Sequence, residues 1–206
     1  MKYDVAVYLG ALPKIKNRST KIDILNDFAQ GAKSAGASTV VTTDRTIQSA
    51  RLAVIIGWYG QKITGPHIQF RKHLIDHQQQ TGSHIMPIDG NCFKWADSND
   101  IWLRYSLNSV FYDEGNYANS NPDKQRWRDI SKTLGIHCDD WKTSGKHILL
   151  CLQRDNGWQG KGFDQQQWVG ETIATLRQHT DRPIRLRCHP GSISDTSAFV
   201  CMPGIT

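Results

Sequence analysis

The chain has 206 residues, of which 38% are hydrophobic and 21% are charged, and its formal net charge is +6. This composition excludes a collagen, a coiled coil and a wholly disordered chain, and the length suits one large domain or one and a half small ones. The positive charge is typical of a protein with an anionic ligand or a nucleic acid partner, and equally of a plain basic surface.

Features of the sequence also bear on its compartment. The longest apolar runs fall far short of the roughly 18 residues that span a bilayer, and the N-terminal residues lack the apolar stretch of a signal peptide. The five cysteines include no C-x-x-C pair, which predicts reduced thiols and a cytoplasmic location. His73 and His77 lie four residues apart, but without a second pair they indicate a solvated helix face, and no metal is expected.

The first 90 residues alternate between strand-like and helix-like patterns. Apolar periodicity and glycine or proline boundaries predict six elements: a strand over 3–10, a helix from Ser19 or Thr20 to Gly36, strands over 39–43 and 51–58, a helix from Pro66 to Gly82, and a strand over 84–88. The apolar residues of 51–58 are contiguous, as in a parallel strand covered on both faces. The order β-α-β-β-α-β predicts an α/β, Rossmann-like layered domain with a mainly parallel sheet.

The second half of the chain again alternates between strand-like and helix-like patterns. Residues 91–120 are rich in aromatic residues and predict a short element with a long loop, and a helix follows from Asn121-Pro122 to Gly135. After a composition break at 139–145, a strand over 146–152, a helix capped by Asp164 and a strand over 183–188 form one βαβ unit. We therefore expect an N-terminal Rossmann-like domain over 1–140 and a partial second Rossmann-like unit over 141–206.

Polar and basic residues follow both strands of this βαβ unit. Ligands of open α/β sheets bind outside the carboxyl ends of the strands, and glycines allow backbone amides to approach a phosphate. The residues that would bind a diphosphate or stack on its base or sugar are Arg154, Gly157, Trp158, Lys161, Gly162, Arg187 and His189. The glycine spacing matches neither a dinucleotide fingerprint nor a P-loop, and an ordinary polar turn is the alternative interpretation.

Catalytic residues are harder to assign from residue type. His189 directly follows a strand and is suited to phosphate binding or proton transfer, with a turn-structuring role as the alternative. Asp89 is the best single carboxylate because it also follows a strand, although Asp-Gly is a common turn pair. Near the end of the first strand, Lys14, Lys16 and Arg18 either face a ligand or form a solvated basic loop.

Four segments carry a resemblance to a known family. They are residues 150–162, 180–191, 66–72 and 102–108, which read LCLQRDNGWQGKG, TDRPIRLRCHPG, PHIQFRK and WLRYSLN. In this order they resemble a tailed-phage family of uncharacterised proteins similar to GT-B glycosyltransferases. The resemblance implies two Rossmann-like domains, an acceptor-side one over 1–140 and a nucleotide-sugar-side one over 141–206. It also implies a location in the cytoplasm of a host cell.

This resemblance leads to two main hypotheses. In the first, the protein is a GT-B-like glycosyltransferase without a metal or cofactor, and it transfers a sugar from a nucleotide-sugar to phage DNA or a glycan. Family members continue further at the C-terminus, so the chain is interpreted as a shortened form or as a first domain with a small appendage. In the second, it is a non-catalytic protein that binds a nucleotide or nucleic acid. A plain structural or interaction protein with a basic face is a third alternative.

Overall fold

The computed structural model describes residues 2–13, 18–60, 63–90, 103–118, 120–141, 144–153 and 164–189. The chain divides into two compact units, one of residues 1–59 and 63–136 and the other of residues 60–62 and 137–206. Each unit contains parallel strands connected by a helix. The predicted α/β class with a mainly parallel sheet is therefore confirmed.

The described residues of the first unit form a five-stranded sheet and three helices. Its elements are β1 (Tyr3–Tyr8), a 3₁₀ turn (Leu9–Ala11), α1 (Arg18–Ser34), β2 (Thr39–Thr42), β3 (Ala50–Ile56), α2 (Pro66–Gln80), β4 (His84–Gly90), β5 (Leu103–Tyr105) and α3 (Lys124–Leu134). The six predicted elements of the first 90 residues are all present. β1 is shorter than predicted because the 3₁₀ turn, buried throughout, replaces its last two residues.

The strand order of this sheet is β2-β1-β3-β4-β5. β1 to β4 are mutually parallel, and β5 runs antiparallel to β4. From β1 the chain winds through α1 to β2 on one side, and from β3 it winds through α2 to β4 on the other. In doubly wound sheets this reversal opens a crevice between the carboxyl ends of the two central strands, here β1 and β3.

Hydrophobic clusters cover both faces of the sheet. On one face, Leu25 and Ala29 of α1 pack with Val54 and Ile56 of β3 and with residues of β1. On the opposite face, Phe70, Leu74 and Ile75 of α2 pack with Tyr8, Ala53 and Ile55. Alternate residues of β3 thus enter different clusters, which explains why its apolar residues are contiguous in the sequence.

The second unit contains the predicted βαβ unit. Its elements are β6 (Ile148–Cys151), α4 (Gln165–Arg177) and β7 (Ile184–Arg187), and the two strands are parallel. The carboxylate of Asp164 accepts hydrogen bonds from the backbone N–H groups of Gln166 and Gln167 at 2.8 and 3.1 Å, which confirms the predicted helix cap. Val169 and Ile173 of α4 pack on one face of the strand pair.

Two further predictions concern the start of α3 and the aromatic-rich segment before it. α3 begins two residues later than Asn121-Pro122 predicts, because Asp123 caps it by accepting a hydrogen bond from the Gln125 N–H at 2.8 Å. Within residues 103–118 the aromatic-rich segment forms the short β5 and an isolated bridge between Leu107 and Asn116. Of the helices in the described ranges, none is long and apolar enough to cross a membrane.

Candidate functional site

The predicted diphosphate-binding residues of the second unit are described only in part. Arg154, Gly157, Trp158, Lys161 and Gly162 lie outside the described residues. Two predicted members, Arg187 at the end of β7 and His189 just beyond it, are exposed at the carboxyl edge of the strand pair.

Arg187 lies on the exposed face of the two-stranded sheet. Ile184 and Leu186 of β7 belong to the core cluster beneath α4, whereas Arg185 and Arg187 alternate with them and are exposed. The carbonyl of Arg187 accepts a hydrogen bond from the Leu152 N–H at 2.8 Å, which fixes the backbone at this strand end. The guanidinium is therefore accessible to an anionic ligand, in a strongly hydrated setting.

Asp89, the candidate catalytic carboxylate, is held by an arginine. It lies near the end of β4 directly opposite Arg104 of β5 in the antiparallel register. The Nη2 atom of Arg104 donates to the Oδ2 atom of Asp89 at 2.9 Å, and both side chains are partly buried. One oxygen of the carboxylate is thus already engaged in a charge-assisted hydrogen bond.

The crevice between β1 and β3 contains a buried arginine that the sequence patterns did not single out. Arg71 of α2 is 8% exposed. Its Nε donates to the carbonyl of Ala11, just after β1, and its Nη1 donates to the carbonyl of Trp58, just after β3, both at 3.0 Å. Among the described residues no acceptor is bonded to the third nitrogen, Nη2. Arg71 therefore joins the two strand ends at the point where nucleotide ligands bind in doubly wound folds.

Gly57 makes room for this guanidinium. It follows β3 with a φ of +89°, a conformation that residues with a Cβ rarely adopt. A Cβ at this position would lie 2.8 Å from Nη1 of Arg71 and 2.9 Å from its Cζ. The Gly57 N–H also donates to the carbonyl of Ile88 at 2.7 Å. Glycine is thus required here both by the backbone conformation and by the arginine.

Three further basic side chains come from the same edge of the sheet. Lys21 and His67 belong to the first turns of α1 and α2, which follow β1 and β3 and therefore begin at the carboxyl ends of these strands. Arg45 follows β2, and its Nε donates to the carbonyl of Gly10 at 3.3 Å. We call the group Lys21, Arg45, His67 and Arg71 the basic crevice.

Burial lowers the pKa of Lys21, His67 and Arg71, and for Lys21 and His67 the charge of Arg71 adds to the shift. Burial lowers the pKa of Arg71 to about 10, while the Asp89 charge opposes the change. Burial, followed by repulsion from Arg71, lowers the pKa of Lys21, again against the attraction of Asp89. Burial also lowers the pKa of His67, with contributions from Arg71 and then Arg45. These basic groups are therefore near enough to repel one another electrostatically. An anion bound among them would relieve the repulsion.

Sequence reasoning missed the basic crevice for an identifiable reason. His67 and Arg71 belong to the segment 66–72 that contributed to the resemblance, but no role was predicted for them. The available signal was a basic pair four residues apart in the first turns of a helix that follows a buried strand. Lys14 and Lys16 lie outside the described residues, and Arg18 is the first residue of α1.

The described side chains include no cluster of three histidine, cysteine, aspartate or glutamate residues that could hold a metal ion. Cys138, Cys151 and Cys188, the cysteines that the described ranges contain, are free thiols. The basic groups at the two strand edges are therefore the features of the described chain on which a binding function can be argued.

In comparisons with known proteins, no family model, no curated protein and no solved structure matches this chain. The fold and the candidate site therefore rest on the geometry of the chain itself.

Proposed function

We propose that this chain binds a phosphate-bearing substrate and acts as a glycosyltransferase of the GT-B type, with a nucleotide-sugar as donor and DNA or a glycan as acceptor. In this reaction the bond between the sugar C1 and the diphosphate oxygen breaks, and C1 forms a bond to an acceptor oxygen. The nucleoside diphosphate leaves, and the acceptor hydroxyl loses its proton to a carboxylate or to solvent. Cations that neutralise the leaving diphosphate would replace a metal ion.

The observation that carries this proposal is the basic crevice. Its four basic groups converge on the β1 and β3 strand ends, where doubly wound sheets bind nucleotides. Arg71 is fixed there by two main-chain carbonyls, so little conformational entropy is lost when it binds a ligand. Nucleotide-sugars and DNA both carry phosphate groups that such cations recognise.

The βαβ unit provides secondary support. Arg187 and His189 are exposed at its carboxyl edge, as a ligand contact requires. The specific assignment of the donor diphosphate to this unit comes from the resemblance.

Calorimetry of the full chain with UDP-, GDP- and ADP-sugars, combined with an assay for released nucleoside diphosphate, tests the proposal. We expect at least one donor to bind and to be consumed only when DNA or a glycan acceptor is added. Arg154→Ala and Arg187→Ala should weaken donor binding, whereas Arg182→Ala, before β7, should not. Absence of binding across the panel, or unchanged binding in Arg154→Ala, would contradict the proposal.

A second candidate function is binding of a nucleotide or nucleic acid without catalysis. The Asp89–Arg104 ion pair favours it, because the best candidate carboxylate is committed to an arginine. In that case the chain would bind nucleotides or DNA with no sugar transfer, and DNA affinity would fall steeply with salt as counterions are released. Sugar transfer by the purified chain would exclude this candidate.

A further inference from the structure

We infer that the basic crevice of the first unit is a binding site for a phosphate group, with Arg71 at its centre and Lys21 and Arg45 beside it. The inference deepens the proposed function, on which it rests for the identity of the natural ligand. It names the chemical group that the crevice binds and the residues that bind it. The predicted diphosphate residues of the second unit have no part in it.

The surroundings of Arg71 favour an anionic ligand. A buried guanidinium is costly unless hydrogen bonds and an opposite charge compensate it. Two main-chain carbonyls supply hydrogen bonds, but no described carboxylate lies within ion-pair distance of Arg71. The carboxylate that acts on Arg71 electrostatically, Asp89, already forms an ion pair with Arg104. An oxyanion would supply the missing charge.

Arg71 is also held in a position that suits ligand binding. Its Nε and Nη1 atoms are committed to Ala11 and Trp58, while no described residue accepts a hydrogen bond from Nη2. Gly57 leaves room for the guanidinium beside the backbone, and moving the group away would break its hydrogen bonds to both carbonyls. A fixed donor of this kind binds a phosphate oxygen with little loss of side-chain freedom.

The basic crevice has a net positive charge greater than one. Lys21, Arg45 and Arg71 carry three positive charges, and the neighbouring Asp89 is balanced by Arg104. This excess favours a ligand with more than one negative charge over a monoanion such as a carboxylate. Phosphate and pyrophosphate meet this requirement, and their several oxygens can accept hydrogen bonds from cations of different elements.

The test is calorimetric titration of the full chain with inorganic pyrophosphate at low ionic strength. Two pairs of variants each compare a residue of the basic crevice with a basic residue outside it. Lys21→Met is matched by Lys33→Met in the last turn of the same helix. Arg45→Met is matched by Arg51→Met, since both arginines are exposed and Arg51 lies at the amino end of β3, near Asp4.

We expect the wild type to bind pyrophosphate, and Lys21→Met to weaken binding about ten-fold, as the loss of a hydrogen bond to a charged group does. Arg45→Met should weaken binding by a smaller factor because its side chain is exposed. Both controls should stay within about two-fold of the wild type. Absence of pyrophosphate binding at millimolar concentration, or equal losses within either pair, would overturn the inference.

Arg71→Lys adds a direct test of the central residue. Lysine keeps the charge but cannot donate to two separated carbonyls and a phosphate at once, so pyrophosphate binding should be lost in a variant whose circular dichroism is unchanged. If Arg71→Lys does not fold, the paired variants still decide the matter. Pyrophosphate binding without sugar transfer would support this inference and refute the transferase. Sugar transfer by a chain in which neither pair of variants differs in pyrophosphate binding would support the transferase and refute this inference.

Discussion

The two units of the chain use the same βαβ building block but cover it differently. In the first unit β3 lies between α1 and α2, and Ala53 and Ile55 are completely buried. In the second unit α4 packs on one face of the β6–β7 pair, and Leu149 on the other face is 44% exposed. The same local sequence pattern can therefore give strands that are buried to quite different degrees, depending on what packs against them.

The same contrast holds for the basic groups at the strand ends. In the first unit Arg71 is buried, and Lys21 and His67 are partly buried. In the second unit Arg187 and His189 are exposed. Water and salt screen exposed charges more strongly than buried ones. Each basic group of the first unit should therefore attract an anion more strongly than each basic group of the second unit.

The largest expected difference between the units is in core stability. Leu74→Ala removes a completely buried side chain from the first unit and should lower the free energy of unfolding by about 2–5 kcal/mol. Leu149→Ala removes a half-exposed side chain from the second unit and should cost less than about 1 kcal/mol. Urea denaturation of both variants measures the difference. Equal losses would show that the exposed face of β6 is covered in solution.

A second prediction isolates the contact between Gly57 and Arg71. Gly57→Ala combines a positive φ with a collision against the guanidinium, and should lower stability by about 1–3 kcal/mol and weaken pyrophosphate binding. Gly36→Ala is the control, because its φ is +86° but nothing lies within 4 Å of the added Cβ. Gly36→Ala should cost about 1 kcal/mol and leave binding unchanged. If both variants bind pyrophosphate equally, the guanidinium position does not matter for the ligand.

A third prediction tests the helix of the second unit. Asp164→Ala removes the side chain that caps α4 and should lower stability by about 1 kcal/mol. Because the described residues of the second unit form a smaller core than those of the first, the loss should appear as faster amide hydrogen exchange in α4, with exchange in α1 and α2 unchanged. Faster exchange in all three helices would mean that the two units unfold together.

The smallest expected effect is a pH dependence in the basic crevice. The pKa of His67 is lowered below its ordinary value of 6.5 in the folded chain. As the pH falls below 6.5, the unfolded chain takes up this proton first, so the contribution of His67 to stability is present above 6.5 and declines toward its folded pKa. A bound anion favours protonated His67, so sulfate, which keeps its charge in this range, should bind more tightly as the pH falls.

The His67→Gln variant removes this titrating group and should flatten the pH dependence of sulfate binding. His77→Gln, near the last turn of the same helix, should retain it. Calorimetry at several pH values provides the measurement. A His67→Gln profile that is as steep as that of the wild type would assign the pH dependence to other groups.

Local patterns in the sequence predicted the fold well, but they could not find the center of the site. The contiguous apolar run of β3 and the Asp164 cap are visible in neighbouring residues, and both are confirmed. The role of Arg71 depends on the carbonyl of Ala11, sixty residues earlier in the chain. Such a long-range contact follows from the strand order of the sheet, which residue types and spacing do not specify.

The predicted carboxylate near the end of β4, Asp89, illustrates the same limit. Asp89 was a candidate because it follows a strand, and the structure does place it at the carboxyl edge. Its ion pair with Arg104 depends on β5 running antiparallel beside β4, which the aromatic-rich sequence before it did not reveal. The predicted role of Asp89 in catalysis stays a prediction, as do the roles of Arg187 and His189.

The most direct test of the account is a titration of the isotopically labelled full chain with pyrophosphate, followed by amide chemical shifts in nuclear magnetic resonance. Pyrophosphate should change the amide chemical shifts of four residues that surround the Arg71 guanidinium or lie in the first turn of its helix: Ala11, Gly57, Trp58 and His67. Shifts confined to residues 148–189, with none at the β1 and β3 strand ends, would contradict it.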